Sequence, residues 1–140
     1  MEQGSQNGLQ DDGYCFACGK NNPNGLGMQV NYTEDQVVCL IKLPKRFQGW
    51  RGIAHGGVVS TLLDEVMAHA VLHFKGPSVT ASMETRYKEP VPLETRLLVK
   101  GWIKEARGRM VKTMATVSLA DSEDKCLAQA TAKFLMTKDT

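Results

Sequence analysis

At 140 residues, with 42% hydrophobic and 23% charged content, the chain has material for one domain with a real core and not for two. Its formal net charge of +2, with lysine and arginine scattered among acids, excludes the basic tract of a nucleic-acid binder. No apolar run approaches the roughly 20 residues of a membrane helix, and the polar opening is not a basic-then-apolar export signal, so a soluble, cytoplasmic protein is expected.

In chain order, Met1 to Gly13 is rich in Gln, Gly, Asn and Asp and is expected to be a flexible leader to a single domain over residues 14–140. Alternating apolar residues from Leu26 to Thr33 and from Gln36 to Leu43, around a Glu34-Asp35 turn, predict a hairpin that Pro44 ends. A loop from Lys45 to Ala54 carries Phe47 and Trp50 between glycines and leads into His55-Gly56-Gly57. From about Gly57 to Phe74, apolar residues at Val58, Val59, Leu62, Leu63, Val66, Met67, Ala70, Val71 and Phe74 predict one long, mostly buried helix, which Gly76-Pro77 stops. Strands are expected at Val79–Lys88, Thr95–Lys104, Arg109–Leu119 and Leu127–Thr137. Turns at Ala106-Arg107-Gly108 and Asp121 to Asp124 make the last three an antiparallel meander. The predicted class is α+β, one long helix wrapped by an antiparallel sheet.

The four cysteines do not indicate a disulfide framework, because a chain without an export signal meets a reducing compartment; Cys39 and Cys126 read as small apolar strand residues. Cys15 and Cys18 form a C-x-x-C, but no second ligand pair stands at knuckle spacing, and the Gly, Asn and Pro that follow describe a loop instead of a redox helix. Glu65, His69 and His73 share a helix face at metal-ligand spacing, with no obvious fourth partner. No metal and no cofactor is expected.

Two features of the helix carry chemistry. At its start, His55-Gly56-Gly57 offers backbone N–H groups without helical partners, at the positive end of the macrodipole, where glycine lets a carbonyl oxygen approach closely. In its middle, Asp64 stands in a strip of small or polar residues, Gly57, Ser60, Thr61 and Ala68. A charge there needs a reason: it either pairs with Arg86, caps a loop, or acts as a catalytic carboxylate. Glu65, about 100° around the helix, is the expected solvent-facing acid. Gly56 and Asp64 are eight residues apart, about 12 Å along one helix, whereas attack on a carbonyl needs both groups within about 3 Å of the reacting atoms. Two helices packed antiparallel across a twofold axis would bring one start beside the other's middle, so a dimer is the expected catalytic unit.

The run from Gly49 to Asp64, with His55-Gly56-Gly57 followed by the acid, resembles the hotdog-fold acyl-CoA thioesterases of the phenylacetate-pathway type. The opening Cys15-Phe16-Ala17-Cys18-Gly19 and Asn22-Pro23-Asn24-Gly25-Leu26 is similar to a group of relatives with the same start, and Arg86-Tyr87-Lys88-Glu89-Pro90-Val91-Pro92 extends the likeness over nearly everything from Tyr14 to Lys138. The resemblance implies a hotdog fold and a homodimer or dimer of dimers. It also implies that the Gly56 N–H polarises a thioester carbonyl, that His55 shapes the turn, and that Asp64 of the partner subunit activates water or attacks directly. Thr80 matches a position where relatives often carry a hydroxyl that holds the water. Some relatives place an Asn six residues before the His, where this chain has Gly49. Gly57, Phe47 and Trp50 would line the substrate channel.

A CoA substrate carries several phosphates, and Lys104, Arg107 and Arg109 around a hairpin are the candidate groups to meet them. The expected function is hydrolysis of an acyl-CoA thioester, with no nucleic-acid or membrane partner. The competing reading is a non-catalytic acyl-CoA-binding module of the same fold. A dehydratase-type hotdog enzyme resembles a different helix pattern, with a catalytic His inside it, for which His69 lies too far along. A cysteine hydrolase pairing Cys15 or Cys18 with His55 lacks anything in sequence to depress a thiol pKa.

Overall fold

The computed structural model describes residues 9–137. One helix, α1 (Gly56–Phe74), packs on a six-stranded sheet built from β1 (Asn31–Tyr32), β2 (Gln36–Lys42), β3 (Ser78–Tyr87), β4 (Arg96–Arg107), β5 (Met110–Leu119) and β6 (Ser122–Met136). The spatial order is β1-β2-β4-β5-β6-β3, and every neighbouring pair is antiparallel. The first eight residues of the expected leader lie outside the described residues. Its last residues are bonded locally: Gly13 N–H donates to Asp11 and Asn21 Nδ2 to the Asp12 carbonyl.

Three expected boundaries move, each for a local reason. The first hairpin strand shrinks to two residues because the segment before it pairs elsewhere: Leu26 N–H donates to Phe16 O and Met28 N–H to Ala17 O, with Gly27 at φ 68° between them. Strand β4 runs on to Arg107, because Gly108 at φ 60° with Arg109 closes a two-residue turn, the positive φ at its first position being the type II′ pattern that suits hairpin twist. Strand β6 starts at Ser122, with Leu119 opposite Ser122 across Ala120-Asp121.

The core lies between α1 and the sheet. Val59, Leu62, Leu63, Val66, Met67, Ala70 and Val71 bury one side of the helix against alternate residues of the strands, among them Leu97 and Val99 of β4, Val111 and Val117 of β5, and Phe134 of β6. Each Val, Leu, Met or Phe side chain among them contributes about 1.5–3 kcal/mol of burial. Under the helix centre the register lines up Gly101, Ala115 and Ala130. A Cβ on Gly101 would meet the Val66 carbonyl carbon and oxygen at 2.8 Å, so the absent side chain is what lets the helix backbone sit directly on β4. The helix ends where Lys75 and Gly76 both donate to Val71 O, with Gly76 at φ 141° and Pro77 following.

This packing leaves β3 as an edge strand. Among the described residues it pairs with β6 only, and most of its residues are exposed, including Val79 and Tyr87. The small-residue strip of α1 faces it.

Candidate active site

The helix start is set by the loop before it. His55 N–H donates to Phe47 O, Gly49 N–H to Ile53 O and Ala54 N–H to Val91 O, while the Phe47 ring is sunk in the core with its edge against Phe16. His55 then caps α1: its backbone is extended, its carbonyl accepts from Val58 and Val59, and its Nδ1 accepts from Gly57 N–H at 2.9 Å. An Nδ1 that accepts leaves the ring proton on Nε2. The Gly57 donor, expected to face substrate, is therefore already used within the turn. The Gly56 N–H has no partner among the described residues and is the open donor of the turn.

Tyr87 braces the same turn. Its hydroxyl donates to Gly56 O at 3.1 Å and is hydrogen-bonded to Ser60 Oγ, and its ring covers Gly56 closely enough that an added Cβ would lie 3.7 Å from it. In the sequence Tyr87 stands only inside a family motif; its contact depends on β3 lying antiparallel beside the helix, a long-range fact.

Two turns further along α1, Asp64 is half-buried and accepts a hydrogen bond from Thr80 Oγ1 at 2.9 Å. It has no ion pair among the described residues, so the Arg86 pairing does not form. Burial pushes the Asp64 carboxyl above its ordinary range, the Thr80 hydrogen bond pulls it back, and the neighbouring Glu65 charge pushes it up again, with a net rise. Glu65 is not the solvent-facing acid: its side chain is 14% exposed and bonded to His69 at 2.9 Å. The sequence offers no sign of this, because what covers Glu65 is the Cys15–Cys18 turn, distant along the chain. His73, the third member of the supposed metal face, is stacked on Tyr32 with ring centroids 3.9 Å apart.

The remaining candidates divide. Trp50 is 83% exposed and, with Gly49, Ala54, His55 and Gly56, lines a hollow of about 380 Å³ at the helix start. Phe47 does not reach that surface; being the anchor of the loop, it is buried. Arg107 and Arg109 are not near Gly56 within one chain. Tyr87 aligns with Ala128 and Val117, whereas Arg107 and Met110 align with Leu135 and the Ser78 end of β3, about 30 Å of strand away. Arg109 Nε also donates to Met136 O. Lys104 lies at a bulge in β4 and, with Lys112 and Lys133, lines a separate hollow of about 430 Å³. Gly56 and Asp64 share α1, eight residues apart, so no single chain brings them to one reacting atom.

The profile of the thioesterase superfamily matches residues 51–126, more than half of the chain and the stretch that holds the capped helix start, Asp64 and Thr80. The chain belongs to the thioesterase superfamily. It is similar to the acyl-coenzyme A thioesterase THEM4 of Rattus norvegicus, 31% identical over 115 residues that make up 79% of this chain and 49% of that protein. The chain spans about half the length of the curated relatives it matches. A crystallised thioesterase superfamily protein superposes with a TM-score of 0.81 at 26% identity, over 88% of this chain and 60% of that one. A mutant of the phenylacetic acid degradation protein PaaI from Thermus thermophilus superposes with a TM-score of 0.71 at 23% identity, over 79% and 94%. The fold is the hotdog fold of this superfamily.

Proposed function

We propose that this protein hydrolyses an acyl-CoA thioester to the free acid and CoA, as a homodimer whose two sites each combine the Gly56 N–H of one protomer with Asp64 of the partner subunit. The observation that carries the reading is Asp64 itself: a half-buried carboxylate with no counter-ion among the described residues, bonded to a hydroxyl, on the side of α1 that faces the free β3 edge. The relatives named acyl-coenzyme A thioesterase support the substrate class.

In this reading the thioester oxygen accepts from the Gly56 N–H at the positive helix end, which stabilises the charge that develops on it. Water attacks the carbonyl carbon and gives its proton to Asp64 of the partner subunit, while Thr80 orients that carboxylate. The tetrahedral intermediate collapses, the C–S bond breaks, and the proton passes to the departing CoA sulfur. Direct attack by the carboxylate is the variant in which water enters in a second step.

Pairing of two β3 edges in antiparallel fashion would satisfy the unpaired backbone groups of that strand. It would also set the Ser78 end of one protomer, with Arg109, beside the Gly56 end of the other, which gives the distant arginines a route to the CoA phosphates. Trp50 stands exposed where the acyl or pantetheine chain enters. A further pairing to a dimer of dimers is compatible with the same edge contact.

Subunit mixing tests the shared site. Gly56→Pro removes the donor at a first helical position that tolerates proline, and Asp64→Asn removes the base. Each alone should release thiol from acyl-CoA far more slowly than the wild type. Refolded together in equal amounts they should recover about a quarter of wild-type activity, one good site in each of the half that are heterodimers. No recovery from folded dimers would place the site within one chain, and retention of CoA ester by the wild type without thiol release would favour the non-catalytic binding module.

A further inference from the structure

The C-x-x-C turn, set aside in the sequence for want of a second ligand pair, meets a carboxylate in the fold. Cys15, Cys18 and Glu65 each present a donor atom, two sulfurs and a carboxylate oxygen, all within 4.8 Å of one another. Donor atoms around a tetrahedral zinc, at bonds of about 2.0–2.3 Å, are separated by roughly 3.3–3.8 Å, so a closure of about 1 Å completes the geometry. The two sides of the cluster come from different parts of the chain, and each is held in place before any ion arrives.

The cysteine side is a rigid turn. Gly19 N–H donates to Cys15 O at 2.9 Å, and a Cβ at Gly19 would lie 2.3 Å from Cys15 N and 2.6 Å from Gly13 O, so only glycine closes it. Ala17 N–H donates to Cys15 Sγ at 3.3 Å, which fixes the direction of that sulfur. Phe16 O and Ala17 O accept from Leu26 and Met28, which sew the turn to the chain that leads into the sheet, and Ala17 is 1% exposed.

The helix side is a relay. Tyr32 Oη is bonded to His69 Nδ1 at 3.1 Å, and His69 Nε2 to Glu65 Oε2 at 2.9 Å. A carboxylate oriented by an imidazole, itself fixed by a phenol, is the second-layer support that metal ligands use. A cavity of about 470 Å³, bordered by Asp11, Cys15, Cys18, Glu65 and His69, opens on the cluster and gives room for a water as fourth ligand. Two soft sulfurs with one carboxylate in tetrahedral reach select zinc over magnesium or calcium.

We propose that Cys15, Cys18 and Glu65 bind one Zn²⁺ per chain, with His69 as the positioning residue for Glu65, and that the ion clasps the Cys15–Gly19 turn to α1 beside Asp64. On binding, the thiol protons leave to solvent and no redox change occurs. With three protein ligands and a water, the ion exchanges with chelators more readily than one in a closed four-ligand site. The inference stands apart from the thioesterase reading, since none of its ligands is used there.

The test is titration of the reduced full chain with Co²⁺ as a spectroscopic probe, followed by Zn²⁺ competition against a chromophoric chelator. One equivalent should give a sulfur-to-cobalt charge-transfer band that Zn²⁺ abolishes. Cys15→Ser and Cys18→Ser should each lose or sharply diminish the band, while Cys126→Ser keeps it. Glu65→Gln should weaken zinc at least about tenfold. His69→Ala should weaken it about 10- to 100-fold with the band intact, and His69→Gln, which keeps an N–H donor, should recover part of that loss. Thermal melting with and without Zn²⁺ serves variants of altered stability: the wild type and Cys126→Ser should gain stability from the ion and Cys15→Ser should not. No charge-transfer band in the wild type, or an undiminished band in a folded double Cys15→Ser, Cys18→Ser variant, would overturn the proposal.

Discussion

Thr80 and Asp64 meet across the gap between the edge strand and the helix, the threonine hydroxyl donating to a carboxylate oxygen at 2.9 Å. The bond gives an acid with no ion pair among the described residues an orientation without neutralising it. An arginine in the same place would hold the charge but block its chemistry; a hydroxyl leaves the carboxylate free to take a proton.

Asp64→Asn should therefore keep the fold and lose the reaction. Asparagine can still accept from Thr80, so the melting temperature should change little, while thiol release from acyl-CoA should fall by about 10²- to 10⁴-fold, the range of a removed general base. Near-normal turnover of the folded variant would remove Asp64 from the mechanism.

The Thr80 bond also sets the pH response. In the proposed mechanism the ionised carboxylate is the active form. Burial and Glu65 raise the Asp64 pKa while Thr80 lowers it, so the acid limb of kcat/KM should lie above that of an ordinary aspartate. Removing the hydroxyl in Thr80→Val withdraws the lowering contribution, and the limb should move to still higher pH. A limb that stays put, or moves down, would mean that another group is being titrated.

His55 is assigned to shape, and two substitutions separate that from chemistry. His55→Ala frees the Gly57 N–H and should cost about 1 kcal/mol of stability in denaturant unfolding, the usual worth of an N-cap. His55→Asn restores a capping oxygen and should restore both the stability and most of the turnover. If asparagine recovers stability but not activity, the imidazole does more than cap.

Gly101→Val probes how the helix is seated. A side chain there meets the Val66 carbonyl at 2.8 Å, so α1 must lift from β4. Overpacking of this kind costs about 1–3 kcal/mol. Because the lift displaces Asp64 from Thr80, activity should fall further than stability alone explains, which parallel unfolding and thiol-release measurements would show.

Much of this was legible in the chain. Helical periodicity from Val58 to Phe74 and the Gly76-Pro77 stop located α1 to within a residue at its start, and alternation located β2 to β6, because burying one face of a helix or strand writes its period into the sequence. The spacing of Gly56 and Asp64 already separated the donor from the acid, since rise per residue is a local property. What only the tertiary structure decided is which donors and charges remain available. The Gly57 N–H is taken by His55, Phe47 is buried beneath its loop, the arginines stand at the far end of the sheet, and Glu65 is covered by a turn from the other end of the chain while Asp64 is left open. Period and spacing fix where a side chain projects from its own element. Whether anything meets it there depends on register and packing between segments many residues apart, which no local pattern records.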